Sequence, residues 1–563
     1  MLTEAANEAD VPPEVVKAIA FVESNGWKQD LISSDGGIGI MQVTTNICDD
    51  DQTPEANGCY DEDKLKNDIQ YNINAGVEVL NEKWKLGGKG AIPTIEGNDR
   101  HKIESWYFAV MAYNGLKPVN SPIDRDGNVN VDSYQYKVFQ RIENSSLDHK
   151  LANLPFKKED FTYDRDSDAN IIFNKLNYDV SLLLTESTQM YKGGKEQYYI
   201  PAANLKQSLN DGQGSEIHDK VVTINSKPVF GLKNENRFNH FVYYKINYGD
   251  NSGYITSNAI RQLPKRLKGD NRIETAIEIA KDGWEDGADT VVLTRADEFP
   301  DALAGAPLAH KFNAPILLTN SKELSKGTEE AIQELGAQHV ILLGGSKHAL
   351  LPTIADRLTD LGITHERISG SNRYQTAQAI AEELGSKSGK AVVATGDKFP
   401  DALAAAPYAA RNEIPILLTK PNQLPASTKE ALKGVQNTLV TGGLNAVSEE
   451  VESQLPQPIR KNGTNRYETA KAIVDYSIKY GNIKTDKAYV ATGEDFADAL
   501  TGAALAAKEE APLLLVKGKQ LTTSTESVIK NNVIHGFVLL GGTGPVPFED
   551  EQKLAWLSYE LEQ

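Results

Sequence analysis

The chain has 563 residues, of which 40% are hydrophobic and 24% are charged, so it has enough apolar side chain to fold and is too long for one core. Its formal charge of −19 argues against binding nucleic acid or inserting into a membrane through bulk electrostatic attraction. No apolar run approaches the roughly 20 residues that a membrane-spanning helix needs, so we expect a soluble protein of about three to five domains.

The first residues lack the basic start and apolar stretch of a signal peptide. Because a helical pattern begins at once, we interpret the sequence as a mature or expressed form from which a leader has been removed. We therefore expect a secreted protein.

The first clear helical pattern carries a candidate catalytic acid. Val15, Ile19 and Val22 form one apolar stripe on a helix that starts near Pro12, and Glu23 lies on or beside that stripe. Poor solvation raises the pKa of a carboxyl group, as a general acid requires near neutral pH. The alternative is a glutamate at a helix end that simply meets solvent.

The two cysteines, Cys48 and Cys59, lie in an acidic stretch that reads as a loop. In an exported protein a disulfide here would contribute roughly 3 kcal/mol through chain entropy. Two unpaired thiols are the alternative.

Neither acidic loop has the residue order of an EF-hand calcium site. DDDQTPEANGCYDED, which begins at Asp49, and the segment from Asp124 to Asn128 both lack it. We expect solvated acidic loops, with no metal site and no cofactor.

Two more segments specify the N-terminal region: GGIGIMQV (Gly36 to Val43), where glycines allow close backbone approach, and FAVMAYNG (Phe108 to Gly115), where an apolar helix ends. Together, Glu23-Ser24, Gly39-Ile40-Met41-Gln42 and Ala112-Tyr113-Asn114 resemble the three motifs of the soluble lytic transglycosylase family. That family is related in fold to goose-type lysozyme, and the resemblance covers about residues 5–145. Ile40 stands where the family usually has leucine.

The resemblance implies an α-helical, lysozyme-like domain whose cleft binds the N-acetylglucosamine and N-acetylmuramic acid of peptidoglycan glycan strands. Glu23 would be the single catalytic acid and base, protonating the glycosidic oxygen and then deprotonating the muramoyl 6-hydroxyl. The product would be a 1,6-anhydromuramoyl end.

The resemblance also implies a set of substrate contacts. Gln42 and the backbone around Met41 would line the subsites, and Asn114 would hold substrate amide groups. A tyrosine expected near the catalytic glutamate is best matched by Tyr134, with Tyr136 as a near rival. The implied substrate-binding set is Ser24, Met41, Gln42, Tyr113, Asn114 and Tyr134.

A hydrolase would usually need a second carboxylate about 5 to 9.5 Å from the acid. Asp30 and Asp35 are the candidates, although each also suits a loop turn. We therefore favour the non-hydrolytic reaction, and lysozyme-type hydrolysis by a muramidase stays open.

The middle of the chain changes to alternating Tyr, Val and Ile with turn residues, which predicts a small β module. The stretch KINYGDNSGYI predicts a hairpin with Gly-Asp-Asn-Ser-Gly as its turn. Residues 215–262 resemble bacterial SH3-like domains, and 175–208 could form a divergent first copy. Such modules often bind wall peptides, and a spacer role is equally open.

The second half repeats three times with a period of about 100 residues. The openings are GDNRIETA from Gly269, GSNRYQTA from Gly370 and GTNRYETA from Gly463. FPDALAGAPLA from Phe299, FPDALAAAPYA from Phe399 and FADALTGAALA from Phe496 follow, and each repeat later has a double glycine. Short apolar runs between amphipathic stretches predict parallel strands covered by helices.

The repeats resemble the cell wall binding type 2 family. The resemblance implies three α/β units of Toprim-like or Rossmann-like type around a pseudo-threefold axis, which bind an anionic secondary wall polymer without a covalent bond. The double glycines lack the spacing of nucleotide-binding loops.

Opposite charges recur at equivalent places in the repeats and could form structural ion pairs within or between units, or contact the polymer. The residues are Arg272, Asp301, Arg373, Asp401, Arg466 and Asp498.

We therefore expect a multidomain protein with a catalytic domain at 1–160, an SH3-like β module or linker at 165–264, and repeats at 265–365, 366–458 and 459–563. The favoured function is an autolysin of a Gram-positive wall with lytic transglycosylase activity. A non-catalytic wall-bound adhesin or scaffold is the alternative.

Overall fold

The structure is a computed structural model that describes residues 1–48, 58–95, 98–145, 149–164, 167–178, 180, 184–209, 214–229, 241–298, 301–518 and 521–562. Most of the first acidic loop, as well as Phe299 and Pro300, lies outside these residues. The chain forms two compact units, Met1–Gln262 and Leu263–Gln563. None of the described helices is long and apolar enough to cross a membrane.

The first unit begins as a bundle of helices, as its apolar periodicity predicts. The helices are α1 (Leu2–Glu8), α2 (Pro13–Glu23), α3 (Glu62–Asn67), α4 (Ile69–Gly88), α5 (Tyr107–Asn114) and α6 (Tyr134–Glu143). Helix α2 packs on α1 and α6, and α5 packs on α4 and α6. The fully buried residues of α2 include Val15 and Ile19, and the last residue of α2 is Glu23.

The core of this bundle extends beyond the predicted end of the catalytic domain at residue 160. Phe161, Ile171, Tyr178 and Leu184 are all buried in it. Short strands attach this stretch: β1 (Thr94–Ile95) pairs with β4 (Asn177–Tyr178), and β2 (Phe161–Thr162) pairs with β3 (Ile172–Phe173).

The middle module is an antiparallel sheet with the order β8-β7-β6-β5-β9. Its strands are β5 (Gln197–Leu205), β6 (Ser215–Ile224), β7 (Tyr243–Tyr248), β8 (Asn251–Thr256) and β9 (Arg261–Gln262). The predicted hairpin is β7–β8, but its turn is only Gly249-Asp250, because Tyr248 already pairs with Asn251. The described residues of 175–208 belong to other sheets and not to a separate copy, since β4 pairs with β1 and β5 belongs to this sheet.

Two fully buried carboxylates fasten the segment that leads into this sheet onto the helices. Glu14 on α2 accepts hydrogen bonds from the Ser187 hydroxyl (2.7 Å) and the Thr188 amide (2.9 Å). Glu104 accepts from the Thr185 amide (2.8 Å) and hydroxyl (2.7 Å). The segment therefore packs as part of the helical body.

The second unit contains three parallel four-stranded sheets, with helices between the strands. The strands are β10 (Lys265–Leu267), β11 (Thr290–Arg295), β12 (Ile316–Thr319), β13 (His339–Leu343), β14 (Thr364–Ile368), β15 (Lys390–Thr395), β16 (Ile416–Thr419), β17 (Asn437–Thr441), β18 (Pro458–Lys461), β19 (Lys487–Thr492), β20 (Leu513–Val516) and β21 (Gly536–Leu540). The helices are α7 (Arg272–Gly283), α8 (Gly305–Lys311), α9 (Lys326–Glu334), α10 (Pro352–Asp360), α11 (Arg373–Leu384), α12 (Pro400–Arg411), α13 (Ala426–Ala431), α14 (Glu449–Glu452), α15 (Arg466–Tyr480), α16 (Ala497–Lys508), α17 (Thr523–Asn532) and α18 (Phe548–Glu562).

The sheets have the orders β12-β11-β13-β14, β16-β15-β17-β18 and β10-β21-β19-β20. The last sheet takes its edge strand from the beginning of the unit, because β10 pairs in parallel with β21. The repeat boundary predicted after residue 365 falls within β14, and the boundary predicted after residue 458 falls within β18. In each sheet, one edge strand therefore directly precedes a repeat's opening motif. The third sheet takes as this edge strand β10, which precedes the first repeat, so the three repeats form a closed ring.

The three repeats share one hydrophobic core. Helices α8, α12 and α16, which follow or contain the Asp-Ala-Leu motifs, pack against one another in all three pairs. One buried cluster extends from Leu267 to Leu540. Mutual packing of three equivalent helices is the arrangement that a pseudo-threefold axis requires.

Candidate active site

The Glu23 carboxyl lies at the C-terminal end of α2, partly withdrawn from solvent. Burial is the main cause that raises the pKa of the Glu23 carboxyl to about 7. The negative charge of Asp35 raises this pKa further, whereas the Tyr134 hydroxyl lowers it. Half of the groups are then protonated near neutral pH. This is the ionisation that a general acid needs.

Two tyrosines from different helices flank Glu23. Tyr134 on α6 is buried and Tyr113 on α5 is partly buried, and the nearby Glu23 charge adds to the effect of burial in raising the pKa of both hydroxyls. The Tyr134 hydroxyl has no hydrogen bond of regular geometry to any described atom. Tyr134, and not Tyr136, is among the groups that shift the Glu23 pKa, so Tyr134 is the tyrosine beside the acid.

The glycine-rich loop reaches the same place through a partly buried contact. The Tyr113 hydroxyl donates to the Met41 carbonyl at 2.7 Å, which ties the second motif to the third. Glu23, Met41, Tyr113 and Tyr134 are thus brought together from four separate stretches of the chain.

Asn72 on α4 braces this loop, although none of the three sequence motifs contains it. Its side chain accepts from the Met41 amide (3.0 Å) and donates to the Ile38 carbonyl (2.8 Å). Gly39 has a φ of +74°, and a Cβ there would lie 2.3 Å from the Asn72 amide nitrogen. An asparagine on the apolar face of α4, one residue before Ile73, is the sequence signal that could have identified it.

Two residues of the predicted substrate-binding set make internal contacts instead. Ser24 is fully buried, and its hydroxyl donates to the Ala20 carbonyl (2.6 Å) and accepts from the Trp27 amide (2.8 Å), so it secures the end of α2. The Gln42 side chain donates to the carbonyls of Leu31 (3.0 Å) and Gly39 (2.7 Å), so it holds the loop in shape.

Asn114 is the exposed last residue of α5 and follows Tyr113, which flanks Glu23. Its side-chain oxygen accepts a hydrogen bond from Asn120 at 3.0 Å. A substrate-facing amide is consistent with this exposure.

The two candidate second carboxylates differ in position. The Asp35 carboxylate accepts hydrogen bonds from the Ser33 hydroxyl and the Gly37 backbone, and the Ser33 bond is the main cause that lowers its pKa. Asp35 is therefore ionised at neutral pH and tied into its own turn. Asp30 is exposed and is not among the groups that shift the Glu23 pKa.

Cys48 and Cys59 form a disulfide at the base of the acidic loop. The Cys48 amide donates to the Tyr60 carbonyl at 2.9 Å, and the side chain of Tyr60 lies near enough to Tyr113 to influence its pKa. Asp124 accepts from the amides of Asp126 and Asn128 and so forms a turn. In the described part of the chain, no three His, Cys, Asp or Glu side chains converge to hold a metal ion.

In the second unit, the repeated opening motif is a helix start. Asn271, Asn372 and Asn465 each cap the next helix by accepting from two backbone amides. A Cβ on the preceding glycine would collide with the first helical turn at 2.1 to 2.2 Å in all three repeats. The motif arginine then donates to the backbone carbonyl at the same place in each repeat, namely Ala296, Gly396 or Gly493.

The repeated arginines and aspartates do not pair with one another directly among the described residues. Arg272 instead binds Asp495 of the third repeat at 2.9 Å and lies over the Phe496 ring. Asp401 and Asp498 lie against the first residue of a double glycine, and burial raises the pKa of both to about 6.

A second arginine set recurs three residues before each opening glycine and was missed in the sequence. Arg266, Arg367 and Arg460 lie on the edge strands β10, β14 and β18, and each donates to the carbonyl of the first glycine of a double glycine at 2.7 to 2.9 Å. Their fixed spacing from the repeat openings was a signal that could have found them.

Comparison with known families assigns the two halves. Residues 1–134 match the Transglycosylase SLT domain, and residues 266–349, 367–452 and 460–549 match Cell wall binding domain 2. These matches confirm both resemblances and support a cell-wall-associated, glycan-cleaving enzyme. The resemblance of the β module to SH3-like domains stays a prediction.

Two curated proteins and one solved structure are similar to parts of this chain. The chain is 38% identical over 284 residues to N-acetylmuramoyl-L-alanine amidase LytC of Bacillus subtilis (strain 168), covering 50% of this chain and 56% of that protein. It is 34% identical over 316 residues to the Amidase enhancer of the same organism, covering 56% of this chain and 42% of the enhancer. The chain thus spans about half the length of the curated relatives it matches. Cwp8 from Clostridium difficile aligns with a TM-score of 0.49 and 26% identity, over 60% of this chain and 63% of that chain.

Proposed function

We propose that this chain is a secreted peptidoglycan lytic transglycosylase whose C-terminal repeats hold it on the cell wall without a covalent bond. The observation that carries the proposal is a half-buried glutamate with a pKa of about 7, flanked by Tyr113 and Tyr134. Among the described carboxylates, the one that affects this pKa is Asp35, a residue bonded into its own turn. A single group of this kind suits a reaction in which the same residue is first acid and then base.

In the first step, protonated Glu23 transfers its proton to the glycosidic oxygen between N-acetylmuramic acid and N-acetylglucosamine. The bond to the muramoyl C1 breaks, and the glucosamine part leaves as an alcohol. The Glu23 carboxylate, now ionised, removes the proton from the muramoyl 6-hydroxyl. That oxygen bonds to C1, which closes the 1,6-anhydro ring and returns the proton to Glu23.

Hydrolysis is the second candidate because Asp35 lies near enough to influence Glu23. A base that activates water, however, must bind the proton that it removes. The hydrogen bonds from Ser33 and Gly37 lower the pKa of the Asp35 carboxyl and so make it a weaker base, and we therefore favour the intramolecular attack.

We further propose that the repeats bind an anionic secondary wall polymer. The support is the family match of the repeats, whereas the helix-capping and carbonyl-bonding roles of their motifs argue that Arg272, Arg373 and Arg466 mainly stabilise the ring. Sedimentation with wall sacculi before and after chemical removal of the polymer tests this. Equal binding to both preparations would contradict it.

The catalytic proposal is tested by incubating the protein and its Glu23→Gln variant with purified peptidoglycan and identifying the released muropeptides by mass spectrometry. We expect 1,6-anhydromuramoyl products from the parent protein alone. Products heavier by one water would establish hydrolysis and bring Asp35 and Asp30 back into question. Cleavage products that do not depend on Glu23, or none at all, would favour a wall-binding scaffold.

A further inference from the structure

Asn120 is an almost completely buried amide whose hydrogen bonds join two parts of the candidate site. Its side-chain nitrogen donates to the Asn114 side-chain oxygen (3.0 Å) and to the Gly115 carbonyl (2.9 Å). Its side-chain oxygen accepts from the Tyr134 backbone amide (3.1 Å). Only 3% of Asn120 is exposed.

These contacts fix which end of the Asn120 amide points where. A backbone N–H can only donate and a backbone carbonyl can only accept, so the oxygen must face Tyr134 and the nitrogen must face Gly115. The amide therefore cannot be turned over without losing both bonds. Its second N–H is then directed at Asn114.

The fixed donor in turn decides the orientation of Asn114. The atom of Asn114 that meets the Asn120 nitrogen must be an acceptor, so it is the side-chain oxygen. No described residue takes up the Asn114 nitrogen, and that side chain is exposed. Asn114 thus offers an N–H donor to a ligand, and the complementary substrate group is a carbonyl oxygen.

The other end of the Asn120 amide acts on the helix that carries Tyr134. Ser133 precedes α6 but makes no side-chain capping bond, and the Asn120 oxygen instead accepts from the amide of Tyr134, the first residue of the helix. An N-terminal cap fixes the position at which a helix begins. The Asn120 amide therefore also positions Tyr134, the tyrosine that lies beside Glu23.

We propose that Asn120 is a positioning residue of the transglycosylase site, which sets the Asn114 side chain as a donor to a substrate acetamido carbonyl and holds Tyr134 against Glu23. This inference rests on the function proposed above. Asn120 touches no substrate itself, and its effect is transmitted through the two neighbours.

The matched test uses Asn120→Asp, which has nearly the same shape and keeps an oxygen for the Tyr134 amide but removes the donors to Asn114 and Gly115. With soluble uncrosslinked glycan strands at pH 5, where Glu23 is protonated, we expect KM to rise about tenfold while kcat stays within about threefold. Asn120→Ala removes both contacts, so both KM and kcat should worsen.

Asn81→Ala is the control, since the Asn81 amide is also used at both ends, donating to the Ala9 carbonyl (3.1 Å) and accepting from Arg100 (2.5 Å), but bonds none of Asn114, Asn120 and Tyr134. It should lower the melting temperature without changing KM. An unchanged KM in Asn120→Asp, or an equal rise in Asn81→Ala, would overturn the proposal.

A double-mutant cycle separates positioning from general structure. If Asn120 acts through Asn114, Asn120→Asp adds nothing to the KM of Asn114→Ala, whereas additive losses would contradict the proposal. Should the parent protein show no turnover, the proposed function fails, and the same cycle is run on binding of a chitin tetramer to Glu23→Gln protein by calorimetry. Additive losses in that cycle, or no binding, would also overturn the role of Asn120.

Discussion

At Glu23, burial and the neighbouring negative charge of Asp35 both favour the protonated carboxyl, whereas the Tyr134 hydroxyl favours the ionised form. Because the first chemical step consumes a proton from this group, kcat/KM should fall as the pH rises through about 7. Asp35→Asn removes the nearby charge, makes ionisation of Glu23 easier, and should move this fall to lower pH. The measurement is the pH profile of muropeptide release.

Asp30→Asn is the matched control for that profile, since Asp30 is an exposed aspartate of the same region and does not influence Glu23. An identical displacement in both variants, or none in Asp35→Asn, would argue that the acid is tuned by other groups.

The raised pKa also has a consequence for stability. A carboxyl whose pKa is higher in the folded state stabilises the fold below its unfolded pKa, and this contribution is lost as the pH rises through about 7. Glu23→Gln is neutral throughout and should therefore match the parent at pH 4.5 and exceed it at pH 8. We expect a difference on the order of 1 to 2 kcal/mol in the free energy of unfolding, measured by urea denaturation. A pH-independent difference would contradict the pKa.

At the scale of elements, the most specific sequence motif of the repeats is a device for starting a helix. In the second repeat, Asn372 accepts from the Tyr374 and Gln375 amides, both at 3.1 Å, and the Gly370 amide donates to the Thr376 hydroxyl. The motif thus sets where α11 begins and how closely the chain before it approaches.

Replacing the Asn372 cap should lower the stability of the fold, and the loss should be larger when both backbone amides are left without an acceptor. We expect Asn372→Ala to lower the free energy of unfolding by about 1 kcal/mol, and Asn372→Asp, which keeps the acceptor, to lose much less. Urea denaturation of the two variants measures this. Weaker wall binding with no loss of stability in Asn372→Ala would instead indicate a contact with the polymer.

At the scale of the molecule, the ring of repeats is closed by its first strand. Arg266 on β10 forms a buried ion pair with Glu551 at 2.6 Å and bonds the Gly541 and Val546 carbonyls, so the beginning of the unit supports the repeat farthest away in sequence. Removing one partner of a buried pair typically costs about 3 to 5 kcal/mol.

Arg266→Ala should accordingly increase hydrogen exchange in β19 and β21 before β11 and β13. Lys265→Ala is the control, because Lys265 lies on the same strand but is exposed and pairs with Asp282 at the surface. Mass spectrometry of exchanged peptides from the full chain distinguishes the outcomes. Faster exchange confined to the first repeat would contradict closure by β10.

Several features of this protein were determined by local sequence. The apolar stripe of α2, the unbroken apolar runs of β11 and β12, and the three repeat openings predicted helices, parallel strands and domain classes, because such patterns reflect burial of neighbouring residues. The three motifs also predicted Glu23 as the acid.

The remaining features depended on contacts between residues far apart in the chain. Asn72 and Asn120 look like ordinary polar residues until the fold brings Met41, Asn114 and Tyr134 to them. In the same way, the pairing of β10 with β21 joins residues from opposite ends of the second unit. A hydrogen-bond partner supplied by a distant segment leaves no periodic pattern in the sequence around either residue, so only the tertiary structure decides it.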